Sequence, residues 1–471
     1  MSKFELSSEV DSEKYFILNR SEIERRLDPF YYIPSIKKLE EQVKNKGSIP
    51  LRKFVEKISS GATPKTTLKE KYYADEDKGI PFLRVQNLSS TGFLKVENCK
   101  YINEETHNNY LKRSQVFGGD LLVKITGVGR MAVASIAPDG FIGNTNQHMV
   151  VIKTKDKKTS QIIASYLNSD IGEKIASRRA TGGTRPALDY PALLSIPIIY
   201  DEKILDIYKN AIAIKQQKEQ DAKELLHSID KYLLDELGIT LPEVDNSLEK
   251  RIFTTNFSEI SGRLDAPSNQ KNNLLISDKY NHIDFGKILD IDPRIEKIDN
   301  DTLCSFIPME KISDEYAQAD SSLNKYFSQS SGYTKFKNND LLWSKITPCM
   351  ENGKSAVVND LKNEVGFGST EYYIFRTKND MANIFYIHAF FRLKVLRQNA
   401  KMHSSGIAGY QRVSKDFFYK LKIPLPSIEK QNKIAQHIQA IRDKAKQLQK
   451  EAKKALEDAK IEVEKLILGD C

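Results

Sequence analysis

Apolar residues fall in short runs along much of the first 200 residues. The segments 79–85, 120–125 and 148–153 have the length of strands, are rich in apolar side chains, and are bounded by glycine, asparagine or aspartate. Residues 159–169 are predicted to form a helix. The pattern therefore predicts a mainly β module that contains a few helices.

Two longer segments carry apolar residues at alternating steps of three and four. The run in 201–237 is interrupted by the polar residues 215–221, whereas the run in 428–468 is regular. The positions are Ile204, Ile207, Ala211, Ile214, Ala222, Leu225 and Ile229 in the first segment, and Ile434, Ile438, Ile441, Ala445, Leu448, Ala452 and Ala455 in the second. This spacing is typical of coiled coils, so we expect the two helices to pack against each other. A helix of about 36 residues would be about 54 Å long.

Most of the sequence pattern occurs twice. The matching pairs, in the same order in both halves, are 21–28 with 258–265, 117–126 with 336–347, 143–155 with 366–378, and the spaced residues Gly182, Arg185, Asp189 and Pro197 with Gly409, Arg412, Asp416 and Pro424. One such match could arise by chance, but an ordered series indicates a tandem duplication. We expect two similar modules, each followed by a long helix.

Composition narrows the class of protein. The 471 residues allow two to four compact units, and 72 lysines and arginines against 63 aspartates and glutamates leave a net charge of +9. This modest basic excess is compatible with a polyanionic partner. The four cysteines are too scattered for a disulfide framework or a Cys-x-x-Cys metal site, and we expect neither metal nor cofactor. No segment approaches the roughly 18 apolar residues of a membrane span, so we expect a cytoplasmic protein.

Several motifs carry a resemblance to a known family. They are Ile-Ser-Ser-Gly-Ala-Thr-Pro at 58–64, Gly-Ile-Pro-Phe-Leu-Arg-Val-Gln-Asn-Leu at 79–88, Gly-Asp-Leu-Leu at 119–122, the polar segment 144–147, and Ile-Pro-Leu-Pro-Ser-Ile-Glu-Lys-Gln-Asn-Lys-Ile at 423–434. Together with the long helices, they resemble the specificity subunits of type I restriction-modification enzymes over nearly the whole chain.

Two departures from the family pattern stand in the sequence. The first module ends in Ile-Pro-Ile-Ile-Tyr at 196–200 rather than in an Ile-Pro-Leu-Pro form, and the second lacks a Gly-x-Thr-Pro entry. The segment 26–32 also resembles the recognition subunits of related bipartite systems, so the subtype of restriction system stays open.

The resemblance implies an α+β fold. It would contain two tandem, mainly β target-recognition domains separated by long antiparallel coiled-coil helices, with a pseudo-twofold internal repeat. The expected divisions are an N-terminal arm at 1–48, the first target-recognition domain at 49–200, a long helix at 201–240, a linker at 241–274, the second target-recognition domain at 275–426, and a second long helix at 427–471.

The function implied by the resemblance is DNA recognition without catalysis. The expected partners are double-stranded DNA with a two-part target, two DNA adenine methyltransferase subunits, and a restriction or translocase subunit. Two readers on one duplex face predict half-sites roughly 10 base pairs apart. Two alternatives remain: the recognition subunit of a related type IIB or IIG-like restriction-methylation enzyme, and a coiled-coil scaffold that does not bind DNA.

The candidate DNA contacts are polar and cationic residues near strand ends and in glycine-rich loops. Arginine, asparagine and glutamine can bond two atoms of one base edge, and lysine or loop amides can bind phosphate. The candidates are Arg84, Gln86, Asn87, Lys124, Arg130, Asn144, Asn146, Gln147, Thr184, Arg185, Lys345, Lys354, Ser369, Glu371, Tyr410, Gln411 and Arg412. The alternatives are ordinary polar turns and solvated strand ends, and structural pairs of Arg185 with Asp189 and of Arg412 with Asp416.

Overall fold

The computed structural model describes residues 6–7, 10–24, 26–241, 254, 256, 275–378, 380–406 and 410–469. The linker expected at 241–274, apart from residues 241, 254 and 256, and the repeat copy at 258–265 lie outside the described residues. The chain divides into two compact units. Unit 1 comprises residues 1–217 and 451–471, and unit 2 comprises residues 218–450.

Unit 1 contains two four-stranded sheets and a short strand pair. Its strands are β1 (Ile49–Pro50), β2 (Lys57–Ser60), β3 (Ile80–Leu83), β4 (Lys100–Ile102), β5 (Gln115–Phe117), β6 (Leu121–Lys124), β7 (Ala134–Ile136), β8 (Ile142–Thr145), β9 (Met149–Lys153) and β10 (Pro197–Ile198). Its shorter helices are α1 (Pro34–Asn45), α2 (Lys69–Tyr72), α3 (Lys157–Asn168), α4 (Asp170–Arg179) and α5 (Tyr190–Leu194). One sheet has the order β2-β9-β6-β7 and is antiparallel; the other has the order β4-β3-β8-β5, with β3 and β8 parallel.

The long helices are α6 (Glu202–Leu237) and, at the end of the chain, Ile428–Leu468. In unit 1, Ile204 and Tyr208 near the start of α6 belong to the same buried cluster as Val463 and Ile467 near the end of the second helix. The packing predicted from the apolar spacing is therefore present, and the two helices run antiparallel there. Ile214, in contrast, is half exposed.

Unit 2 repeats the plan of unit 1. Its strands are β11 (His282–Asp284), β12 (Leu289–Ile291), β13 (Leu303–Ile307), β14 (Asn324–Tyr326), β15 (Thr334–Lys337), β16 (Leu341–Ser344), β17 (Ser355–Val357), β18 (Val365–Gly368), β19 (Tyr372–Thr377), β20 (Ser404–Ser405), β21 (Arg412–Val413) and β22 (Lys422–Pro424). Its helices are α7 (Phe285–Ile288), α8 (Ile384–Arg392), α9 (Lys394–Met402) and α10 (Lys415–Tyr419), and the terminal helix Ile428–Leu468 is α11.

The strand orders of unit 2 are β12-β19-β16-β17 and β14-β13-β18-β15, and β13 and β18 are parallel. They match unit 1 strand for strand, including the position of the single parallel pair in each mixed sheet. The α+β fold and the duplicated architecture predicted from the sequence are thus confirmed. Within unit 2, Leu233 and Leu237 of α6 share a buried cluster with Ile434 and Ile438 of α11, again in antiparallel arrangement.

The structural register of the repeat corrects one sequence match. Thr126 forms a bridge with Ala187, and the equivalent residue of unit 2, Ile346, forms a bridge with Arg412. Ala187 is therefore the counterpart of Arg412, and Arg185 is not. The pairing of Arg185, Asp189 and Pro197 with Arg412, Asp416 and Pro424 is therefore two positions out of register, and the paired residue Gly409 lies outside the described residues.

Helix capping explains why this shift was hidden. Asp189 caps α5 by accepting a hydrogen bond from the Ala192 N–H at 2.7 Å, and Ser414 caps α10 by accepting one from the Asp416 N–H at 3.2 Å. Aspartate and serine are both favoured at this position. Asp189 and Ser414 thus occupy equivalent N-cap positions although they are different residues. An alignment based on identical residues therefore places them out of register.

The core of unit 2 is strongly aromatic. Phe285, Phe375, Phe391 and Phe418 are fully buried and pack with ring centroids 4.9 to 6.1 Å apart, and Trp343 meets Phe418 edge to face at 5.2 Å. Such rings bury large apolar areas and gain further energy from edge contacts. Within the part of the chain that the structure describes, no helix has the length and apolar character needed to cross a membrane.

Candidate nucleic-acid interface

The turn after β3 carries three candidate residues with different roles. Asn87 is buried; its Oδ1 accepts a hydrogen bond from the Arg84 N–H at 2.9 Å, and its Nδ2 donates to the Lys95 carbonyl at 2.8 Å. Gln86 is exposed, and the buried Nε of the half-buried Arg84 has no hydrogen-bond partner among the described residues. Asn87 therefore shapes the turn, whereas Gln86 faces solvent.

Lys124 and Arg130 hold the loop that follows β6. Lys124 is buried, and its Nζ donates to the carbonyls of Val128 at 2.7 Å and Arg130 at 2.9 Å. Burial lowers the pKa of Lys124. The Arg130 guanidinium donates to the carboxylate of Asp170 at 2.6 Å and to the Asn168 carbonyl at 2.8 Å. Both cations are engaged within the protein, where they tie the loop to itself and to α3 and α4.

Asn144 and Asn146 are buried near the end of β8. The Nδ2 of Asn144 donates to the Leu111 carbonyl at 2.9 Å, and its Oδ1 accepts a hydrogen bond from Nδ1 of His107. The Oδ1 of Asn146 accepts a hydrogen bond from the His148 N–H at 3.1 Å. These amides satisfy buried polar groups, as buried amides generally must.

Gln147 is the exposed member of the same turn, and it meets the Gly-x-Thr-Pro motif. Its Oε1 accepts a hydrogen bond from the Thr63 hydroxyl at 2.6 Å. A Cβ at Gly61 would lie 1.7 Å from the Thr145 carbonyl oxygen, so only glycine allows the two segments to approach so closely. The sequence predicts the motif that contains Thr63 but does not predict Thr63 as a contact.

Backbone pairing brings a second loop of unit 1 to the same end of the sheet. The Ile125 N–H donates to the His148 carbonyl at 3.0 Å, and the Ile125 carbonyl accepts from the Leu188 N–H at 2.8 Å. Thr184 and Arg185, in the loop that precedes Leu188, are exposed. We call Thr63, Gln147, Thr184 and Arg185 edge 1.

The corresponding end of unit 2 holds an ion pair. The Nε of Arg412 donates to Oε2 of Glu371 at 2.9 Å, and its Nη2 donates to Oε1 at 2.6 Å. The hydrogen bonds from Arg412 lower the pKa of Glu371. The Lys345 N–H donates to the Glu371 carbonyl, and its carbonyl accepts from the Val413 N–H, each at 2.9 Å. Lys345 thus occupies the place of Ile125, not that of Lys124.

Other candidates of unit 2 lie around this pair. The Nζ of Lys345 lies 5.2 Å from the centroid of the Tyr373 ring, and the Ser369 hydroxyl accepts a hydrogen bond from the Glu371 N–H at 3.2 Å. Tyr410 is largely exposed. We call the six residues at this end edge 2: Lys345, Ser369, Glu371, Tyr410, Gln411 and Arg412.

Two candidates of unit 2 make contacts inside the protein. The Nζ of Lys354 donates to the Met309 carbonyl at 3.1 Å. Gln411 is half-buried, and its backbone N–H donates to the Thr347 hydroxyl at 3.2 Å. Lys354 therefore helps to fix the loop before β17, and Gln411 fixes the loop before β21.

The arginine-aspartate pairs considered as an alternative are absent from the described residues. Asp189 caps α5, and Arg412 pairs with Glu371 rather than with Asp416. The Arg185 side chain has no hydrogen-bond or ion-pair partner in the part of the chain that is described. Nor do the described residues contain a cluster of three histidine, cysteine, aspartate or glutamate side chains that could hold a metal ion.

Comparison with known proteins finds similarity to specificity subunits of type I restriction enzymes. The family described as type I restriction modification DNA specificity domain matches residues 294–458. The specificity subunit of the type I restriction enzyme EcoAI from Escherichia coli is 32% identical over 184 residues, which cover 39% of this chain and 31% of that protein. The EcoEI specificity subunit from Escherichia coli is 34% identical over 153 residues, covering 32% of this chain and 26% of that protein.

The match thus spans about a third or less of the length of these curated relatives. A chain from a solved structure concerned with complex assembly and conformational transition of the type I R-M system is 14% identical. That alignment covers 89% of this chain and 96% of the other, with a TM-score of 0.45.

Proposed function

We propose that this chain, which carries a type I restriction modification DNA specificity domain at residues 294–458, recognises DNA for a restriction-modification system. In this proposal it binds a two-part site on double-stranded DNA and contributes no catalytic group. The observation that carries the proposal is the duplication: two units with the same strand order present different polar side chains at equivalent ends of their sheets.

Edge 2 has the chemistry of a base reader. Arginine commonly recognises guanine by donating two hydrogen bonds to its O6 and N7 atoms. Glu371 holds the Nε side of the Arg412 guanidinium, and Nη1 donates to the Tyr410 carbonyl at 3.4 Å, which leaves one hydrogen on Nη1 and one on Nη2 for a base edge. About half of the Arg412 side chain is exposed. A guanidinium oriented in this way is suited to a guanine in the second half-site.

Edge 1 has a different chemistry. Arg185 carries a charge with no partner among the described residues, and it follows Gly182 and Gly183, which allow close approach to a backbone phosphate. Gln147 and Thr63 supply amide and hydroxyl groups that can bond base edges. Because the two edges differ, the two half-sites should differ in sequence.

The remaining partners follow from the family. We propose that two adenine methyltransferase subunits bind the long helices α6 and α11, and that a restriction or translocase subunit joins them. In the type IIB or IIG-like alternative, modification and cleavage would reside in a fused partner. In the scaffold alternative, the helices would join proteins and the edges would not contact DNA.

A mobility-shift titration of the full chain with duplex DNA tests the proposal. Neutralised phosphates release counterions, so affinity should fall steeply as salt rises, with a slope close to the number of phosphate contacts. The double variant Arg185→Ala with Arg412→Ala should bind more weakly, and Arg52→Ala, which changes an exposed arginine outside both edges, should not. Binding that is absent or insensitive to salt favours the scaffold.

A further inference from the structure

Unit 2 contains a cavity of about 500 Å³ whose lining is rich in amides. It lies beside the N-terminal end of α8 and the first turns of α11. Six amide side chains, one guanidinium and one imidazole line it, with apolar residues and no carboxylate among the lining residues described. The polar lining is Gln318, Asn359, Asn383, His388, Asn432, Gln436, Gln439 and Arg442.

Arg442 is the unusual member of this lining. Only 6% of it is exposed, and it has no hydrogen-bond or ion-pair partner among the described residues. Burial lowers its pKa to about 10. The neighbouring carboxylate, Asp443, accepts a hydrogen bond from Nε2 of Gln439 at 3.0 Å. Buried charges in proteins are normally paired, so Arg442 is a cation that lacks a counter-ion.

A further cation, Arg392, lies near Arg442. Burial, together with the positive charges of Arg442 and Arg392, holds the pKa of His388 well below its ordinary value. Arg392 donates to the carbonyls of Gly353 and Asp314 and forms no ion pair among the described residues, although the charges of Asp230 and Asp314 favour its charged form.

A second cavity, of about 800 Å³, also includes Arg442 in its lining, together with the carboxylates of Glu219, Asp230, Asp314 and Glu315. Asp230 lies there, but it accepts a hydrogen bond from the Lys394 N–H at 2.8 Å and so caps α9. Arg397, in the same lining, donates to the Glu351 carbonyl. None of these carboxylates forms a hydrogen bond or an ion pair with Arg442 among the described residues, and the amide-lined cavity offers Arg442 no carboxylate in its described lining.

We propose that the amide-lined cavity binds a phosphoryl group, with Arg442 as the counter-ion. A guanidinium alone can satisfy the two oxygens of a carboxylate, whereas a phosphoryl group has further oxygens that need other donors. Asn359 and Gln436 have no hydrogen-bond partners among the described residues and can supply those donors. This site is independent of DNA recognition at the two edges.

The phosphoryl group could belong to inorganic phosphate or to a nucleoside monophosphate. The cavity is larger than inorganic phosphate needs, and the partly exposed ring of Phe385 lies in its wall, where it could stack on a base. These observations favour the nucleotide as the source.

Thermal unfolding of the full chain tests the site. Sodium phosphate and adenosine monophosphate are compared with sodium chloride at equal ionic strength. A ligand that binds only the folded state should raise the Tm of the wild type by about 2–4 °C near saturation. Arg442→Met should abolish this rise, and Arg52→Met, the same change at an exposed arginine of unit 1, should retain it.

The outcomes separate the sources. A larger rise with adenosine monophosphate than with phosphate at the same concentration identifies a nucleotide site, and equal rises identify inorganic phosphate. The proposal fails if neither ligand shifts the wild type, or if Arg442→Met responds as the wild type does. It also fails if both Arg442→Met and Arg442→Gln do not fold, because an unpaired buried cation should be dispensable for folding.

Discussion

Two units with one strand order treat their buried arginines in opposite ways. In unit 1, Arg178 and Arg179 at the end of α4 both donate to Glu40 of α1, with the Arg179 contacts at 2.7 and 2.9 Å. In unit 2, the buried Arg442 has no such carboxylate among the described residues. A shared backbone plan therefore does not determine where charges are neutralised; that depends on single side chains that differ between the two units.

The exposed edges differ in the same way. Arg412 is held by Glu371, whereas Arg185 has no partner in the described part of unit 1. The residue equivalent to Glu371 is His148, since each accepts the corresponding backbone hydrogen bond from the neighbouring strand. His148 lacks the carboxylate that orients an arginine. Equivalent ends of the two sheets thus present different polar side chains.

The largest expected effect comes from breaking the neutralised cluster of unit 1. Glu40→Gln leaves Arg178 and Arg179 buried without a counter-charge, so we expect the free energy of unfolding to fall by about 3–5 kcal/mol. Urea denaturation of the full chain measures this change. Arg442→Met, which removes a buried cation that lacks a partner, should cost much less. Equal losses in the two variants would show that the units do not differ as described.

The same cluster predicts a dependence on pH. Burial raises the pKa of Glu40, but the hydrogen bonds and charges of Arg179, Lys44 and Arg178 outweigh it and lower the pKa to about 2. The folded-state pKa lies below the unfolded one, so this stabilisation is complete above about pH 4.5 and is lost as the pH falls towards 2. We expect a loss of about 3 kcal/mol in this window. Unfolding curves of Glu40→Gln should lack this component; an identical pH profile would contradict the assignment.

Arg412→Ala tests base reading by edge 2. Loss of a bidentate arginine contact should reduce the preference for one base pair of the second half-site by about 5- to 150-fold. Competition binding with duplexes that vary one base pair at a time measures it. The preference in the first half-site should not change. A uniform weakening across both half-sites would instead assign Arg412 to a phosphate.

Glu371→Gln tests the orientation of Arg412 rather than its presence. The variant keeps a hydrogen-bond acceptor but loses the charge, and pairs at exposed sites contribute modestly, so we expect about a threefold loss of preference at the same base pair. Combining it with Arg412→Ala should add nothing further. An additive effect would mean that Glu371 contacts DNA independently.

The smallest effect is expected at edge 1. If Arg185 binds a phosphate, Arg185→Ala should weaken binding about equally for all sequences and reduce the slope of log affinity against log salt by about 1. Mobility shifts at several salt concentrations measure both quantities. A change in base preference would instead make Arg185 a reader, and the contrast between the edges would then be smaller.

The duplication could be predicted because the two copies repeat the same pattern of apolar residues. β6 and β16 are fully buried, and their leucines must be apolar in both copies for the sheets to pack. The register of the segments around these helix caps could not be predicted, because Asp189 and Ser414 both cap a helix N-terminus but are different residue types. A chance match of glycine, arginine, aspartate and proline, offset by two residues from the structural register, therefore looked like the correct alignment.

The candidate site was harder to predict for a related reason. Asn144 and Lys124 have side chains that suit DNA, but both are buried and bonded to the protein. Thr63 and Glu371 lie beside Gln147 and Arg412 because strands distant in the sequence are neighbours in the sheets. The type of a polar residue indicates which hydrogen bonds its side chain can form, but it does not indicate which partner the side chain contacts in the folded protein.

The amino-acid sequence by itself determined the two similar modules and the paired long helices, because the spacing of apolar residues indicates which faces of the strands and helices are buried. Only the tertiary structure decided that Glu40 neutralises two buried arginines, that Glu371 holds Arg412, and that Arg442 stands without a counter-ion among the described residues. Charge pairing depends on a few ångströms between residues far apart in the chain, and no local pattern encodes that distance.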